Sequence, residues 1–207
     1  VSGSLNMAHM PTIGVSGVDL YAKDEKGNWN WAYGNYSFKD TISYKFTSLG
    51  KNSNFTYRLY LPLYNSVEWM EIGTASNKPL KFVDNTTKKP IIVYGTSIAQ
   101  GACATRPGLA WTNMLGRDLA NPIINLAFSG NGRLEQPLID HINQLDAEVF
   151  ILDCIPNLSI TKDRSENQLD SLLLNAVNQI RAKHPKTPII ITEHSSGFNS
   201  SVFNQDR

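Results

Sequence analysis

A chain of 207 residues, 41% of them hydrophobic and 18% charged, is composed like an ordinary globular protein and can bury a sizeable core in one large or two small domains. Nineteen basic and eighteen acidic residues leave a formal charge of +1 with no lysine or arginine cluster, so the sequence carries no footprint for nucleic acid or an anionic membrane. No apolar stretch approaches the ~20 residues of a membrane span, and the two cysteines, Cys103 and Cys154, make neither a disulfide framework nor a zinc site.

Residues 1 to 87 read as β structure. Alternating runs at Thr41 to Phe46 and Tyr57 to Leu61 place side chains on two faces, and Asp24-Glu25-Lys26-Gly27-Asn28 supplies a turn. Further short runs fall at Gly17 to Tyr21, Trp29 to Tyr33, Val67 to Ile72 and Leu80 to Val83. Short strands at regular spacing predict an antiparallel β-sandwich. Its aromatic residues, among them Trp31, Tyr33, Tyr36 and Tyr60, either fill the sandwich or line a sugar-binding face. The polar stretch Asp84 to Lys89, closed by Pro90, predicts a boundary between domains at 1–87 and 88–207.

The period then changes. Ile91-Ile92-Val93-Tyr94 is apolar without alternation, the mark of a strand buried on both faces. Helices are expected around Trp111 to Ala120, Leu134 to Leu145 and Asn167 to Lys183, with strands at Ile123 to Ala127, Val149 to Asp153 and Pro188 to Thr192. Alternating strands and helices predict an α/β fold, a flavodoxin-like parallel sheet with helices on both faces. The loops after its first three strands read Gly95-Thr96-Ser97-Ile98, Phe128-Ser129-Gly130-Asn131-Gly132 and Cys154-Ile155-Pro156-Asn157. In a parallel sheet all three open on one edge, where polar groups can converge. Acyl transfer needs a nucleophile, donors for an oxyanion and a base. Ser97 supplies a hydroxyl, and the Ser97 and Gly130 N–H groups with the Asn157 amide supply three donors. Taken singly, Ser97 would read as a helix cap, Asn157 as a turn residue and Gly130 as a backbone requirement.

On these residues the chain resembles the SGNH (GDSL-type) hydrolases, whose marks are a serine after the first strand, a glycine after the second, an asparagine after the third and a late Asp-x-x-His. The first three correspond to Ser97, Gly130 and Asn157, and Gly17-Val18-Asp19-Leu20-Tyr21 is similar to the sandwich that precedes the hydrolase in a two-domain branch. Gly95-Thr96-Ser97-Ile98 replaces the usual Gly-Asp-Ser-Leu, and no Asp-x-x-His follows the fourth strand. The resemblance therefore implies that the C-terminal part of the hydrolase lies beyond Arg207, and that strands precede Val1. Of the histidines, only His194 falls at the correct sheet edge, as a base or a substrate-facing residue; Arg133 either meets a polar substrate or starts a helix.

The resemblance implies a serine esterase that cleaves a small or carbohydrate O-acyl ester with no cofactor, in a periplasmic or secreted bacterial protein. The same machinery could instead transfer the acyl group to an alcohol. A different class of function is a non-catalytic module, holding a sugar on the aromatic face or a flavin at the first loop, although that loop lacks a dense glycine pattern.

Overall fold

The computed structural model describes residues 3–39, 41–47, 49, 55–75, 78–83, 87–158, 160 and 165–193. In chain order, helix α1 (Thr12–Ser16) precedes strands β1 (Asp19–Lys23), β2 (Trp29–Ala32), β3 (Asn35–Ser37), β4 (Ser43–Lys45) and β5 (Thr56–Tyr60). Strand β6 (Ile91–Gly95) leads into α2 (Ser97–Gln100) and α3 (Trp111–Asp118), then β7 (Ile123–Ala127), α4 (Gln136–Ile142), β8 (Val149–Asp153), α5 (Glu166–Lys183) and β9 (Ile189–Ile191). The chain divides into two compact units, residues 1–89 with 98–123, and residues 90–97 with 124–207. No helix among the described residues is long and apolar enough to cross a membrane.

The first unit holds an antiparallel sheet of order β2-β1-β5 and a separate β3-β4 pair. Asp24 builds the β1–β2 turn, its carboxylate accepting the Lys26 and Asn28 N–H groups at 3.0 and 2.8 Å. The Asp19 carboxylate, buried in β1, is the polar centre of this unit. It accepts the Trp31 indole N–H at 2.7 Å and the Gly108 N–H at 3.0 Å, and pairs with Arg106 Nε at 3.2 Å. Burial pushes its pKa up, against the opposing pull of Arg106, the Gly108 N–H and Trp31. The Arg106 guanidinium lies 4.1 Å from the Trp31 ring, and Arg117 lies 4.2 Å from Tyr21. Gly17-Val18-Asp19-Leu20-Tyr21 thus works structurally, by fastening the 106–117 segment to β1.

Two expected strands do not form. Residues 67–72 and 80–83 lie outside any sheet, with Phe82 88% exposed. Among the described residues no strand faces them, and without a ladder partner an apolar run is not a strand. The short β3, opposite β4 with Tyr36 facing Tyr44, is absent from the sequence reading.

The second unit is a four-stranded parallel sheet of order β7-β6-β8-β9. Ile92 and Tyr94 of β6 and Phe150 and Leu152 of β8 form one face, on which Ile139 and Ile142 of α4 and Ala176 and Ile180 of α5 pack. Ile91, Val93 and Ile151, which point the other way, are also buried, which explains why these strands show no polar alternation. Helix α5 starts at a reciprocal cap in which the Ser165 side chain accepts the Gln168 N–H and the Gln168 side chain accepts the Ser165 N–H. Ser165→Ala should cost about 1 kcal/mol, seen as a lower urea midpoint at unchanged slope.

Candidate active site

The three loops at the carboxyl edge of the second unit are tied to one another by backbone and side-chain bonds. Pairing of β6 with β8 puts Gly95 opposite Asp153, so both strands end at one level. There the Thr96 N–H donates to the Asp153 carbonyl at 3.0 Å, and the Phe128 N–H donates to the Gly95 carbonyl at 2.9 Å. Ser97, half-buried, opens α2 directly beyond this junction. The Asn157 carboxamide donates to the Asn131 carbonyl at 2.5 Å, beside Gly130. A carboxamide nitrogen carries two hydrogens, so this bond leaves Asn157 a second donor.

The loop between β7 and α4 has an unusual backbone. Gly130, Gly132 and Leu134 all have positive φ, at 73°, 70° and 64°. Glycine adopts this region freely, whereas Leu134 is held there at a cost of roughly 1–3 kcal/mol. Gly132 lies so close to the Gly95 carbonyl that it has no room for a side chain. Glu135 ties the loop to β6. Its carboxylate accepts the Arg133 N–H at 2.8 Å and the hydroxyl of buried Tyr94, and its own N–H donates to the Tyr94 oxygen at 3.0 Å.

Burial disfavours the Glu135 carboxylate, but the bonds from Tyr94 and the loop N–H groups, with the Arg133 charge, outweigh it and hold its pKa below the ordinary 4.5. A carboxyl whose folded pKa lies below its unfolded one adds stability above the unfolded value and loses it as pH falls through the folded value. The stability difference between the wild type and Glu135→Gln should therefore shrink below about pH 4.5, which urea unfolding across pH 3 to 7 would measure.

A family model of GDSL-like lipases and acylhydrolases matches residues 88–207, more than half of the chain. The chain belongs to the GDSL-like lipase/acylhydrolase family. Residues 1–80 match the N-terminus of SGNH hydrolase-type esterases. The crystal structure of a Bacteroides ovatus protein assigned as a GDSL-like lipase is 35% identical, with a TM-score of 0.79 over 91% of this chain and 54% of that one. The salicylyl-acyltransferase SsfX3 of a tetracycline biosynthetic pathway is 17% identical, with a TM-score of 0.49 over 88% of this chain and 53% of that one. This acylhydrolase-family chain thus spans about half the length of these two structures. Comparison with curated proteins finds no match.

Of the residues singled out in this GDSL-like sequence, Asn157 bonds to the residue after Gly130, and the Gly130 loop bonds to the strand end before Ser97. Arg133 is exposed and joins the loop through its backbone. His194 lies outside the described residues. His141 is exposed on α4, and His184 packs on Phe150, at the opposite end of β8 from Asp153. Both cysteines are free: Cys103 is exposed, and burial pushes the Cys154 thiol up to about 12. The sequence reading missed Tyr94, Gly132 and Glu135. Tyr94 is hidden in an apolar run, and the only signal was a hydroxyl where the neighbours carry none.

Proposed function

We propose that this chain carries the nucleophile and oxyanion donors of a serine esterase, with residues 1–87 as an accessory β domain and 88–207 as part of the hydrolase domain. The observation that supports this reading is the bond from Asn157 to Asn131, which fastens the third loop to the second at Gly130. Ser97 Oγ attacks the ester carbonyl carbon, and the carbonyl π pair moves onto its oxygen. The Ser97 and Gly130 N–H groups and the second amide hydrogen of Asn157 receive that charge. The C–O bond to the alcohol breaks next, the alcohol leaves with a proton, and water then releases the acyl group from Ser97. The proton acceptor in this reading is a histidine outside the described residues, oriented by an aspartate.

An O-acylated carbohydrate is the substrate class that we propose. Its support is the groove of the first unit, where the exposed rings of Trp31, Tyr33 and Tyr36 stand beside Arg106, since aromatic faces suit the C–H faces of sugars. In this reading Arg133, exposed on the Gly130 loop, meets a polar group of the substrate. A fluorophosphonate probe should label the full-length protein at Ser97, and acetate should be released faster from an acetylated oligosaccharide than from p-nitrophenyl acetate. No label at Ser97 would overturn the esterase, and a preference for the aryl ester would overturn the substrate class.

A further inference from the structure

We infer that Tyr94 and Glu135 form the positioning device that holds the Gly130 N–H in register with Ser97, an inference that rests on the proposed esterase. The loop of residues 128–135 carries three left-handed residues, one of them Leu134, and such a backbone persists only where its surroundings fix it. Glu135 stands at the N-terminal boundary of α4, where its charge suits the helix dipole, and its side chain makes no cap bond. Its carboxylate turns back instead to the Arg133 N–H and the Tyr94 hydroxyl.

Tyr94 is fully buried against α4 and α5, so its ring is a rigid post. Its hydroxyl is used in both senses, donating to the carboxylate and accepting the Glu135 N–H. Burial first, and the carboxylate second, raise the Tyr94 pKa well above the ordinary range, so it remains a donor at any pH where an esterase works. Tyr94 is also three residues before Ser97 on the same chain segment. The oxyanion loop is therefore anchored to the strand that delivers the nucleophile, and the Tyr94–Glu135 pair sets a short path between the two.

The test uses the full-length protein, with active sites counted by fluorophosphonate labelling. Tyr94→Phe and Glu135→Ala should each lower kcat per active site by about 10- to 100-fold, with KM for p-nitrophenyl acetate within about twofold. The affinity for phenylboronic acid, a tetrahedral mimic of the oxyanion, should fall by the same factor as kcat. Glu135→Gln keeps an acceptor oxygen in place and should restore kcat to within about fivefold of wild type. Unchanged kcat per site in Tyr94→Phe, which removes one hydroxyl and keeps the ring, would overturn the inference even if the melting temperature fell. Ser97→Ala separates the two levels: if it stays active, the esterase reading itself fails, and if it is inactive while Tyr94→Phe and Glu135→Ala turn over normally, only the positioning role fails.

Discussion

Ser97→Ala is expected to reduce ester turnover by the full-length protein by on the order of 10³-fold or more, because it removes the proposed nucleophile. Binding should survive, since the proposed oxyanion donors, the Ser97 and Gly130 N–H groups and the Asn157 amide, are untouched. Asn157→Ala should be milder, lowering kcat about 10²- to 10³-fold, the loss that goes with one proposed oxyanion donor. It also breaks the bond to the Asn131 carbonyl, so the Gly130 loop loses its link to the third loop. Asn157→Asp makes the same point more sharply, because a carboxylate offers no hydrogen and repels the developing charge. Steady-state kinetics on an aryl acetate, with circular dichroism to confirm folding, would measure all three. Wild-type kcat in Asn157→Asp would remove Asn157 from the machinery.

The second large effect is at Gly132. An alanine there would drive its Cβ into the Gly95 carbonyl and to within 2.9 Å of the Thr96 nitrogen. Both are backbone atoms at the end of β6, which the rest of the parallel sheet fixes, so neither can yield cheaply. The φ of 70° adds strain of its own. Gly132→Ala should therefore destabilise the protein by roughly 3 kcal/mol or more and displace the loop that carries Gly130. Gly130→Ala is the internal control. Its φ of 73° is similar, but a Cβ there meets no atom of the described residues within 4 Å, and its N–H is retained. That variant should lose only about 1 kcal/mol and keep most of its turnover. Equal losses for the two glycines would show that backbone strain, and not the clash with Gly95, governs the loop.

The contrast between these glycines marks the limit of what the sequence discloses. Gly130 is reachable from its motif, but nothing in the string Asn131-Gly132-Arg133 reports that Gly132 abuts a carbonyl 37 positions earlier. The strands of the second unit were legible because burial on both faces leaves only apolar choices, as in Ile91-Ile92-Val93 and Phe150-Ile151-Leu152. The first unit was less so. Residues 67–72 are as apolar as the strand Thr56–Tyr60, and only the presence of a facing strand separates the two outcomes. Asp19 likewise reads as one acid among many until Trp31, Gly108 and Arg106 are seen around its carboxylate. The helix α5 was legible from Asn167 onward, while the cap that begins it, between Ser165 and Gln168, came only with the structure.

The unequal cysteines have a practical consequence. Cys154 is shielded under Tyr94, with its thiol bonded to the Tyr94 carbonyl at 3.7 Å, whereas Cys103 is open to reagents. A maleimide dye can thus be attached at one native position without engineering. The slow appearance of a second reactive sulfur would then time the opening of the sheet beneath its carboxyl edge, giving an exchange clock that needs no substrate.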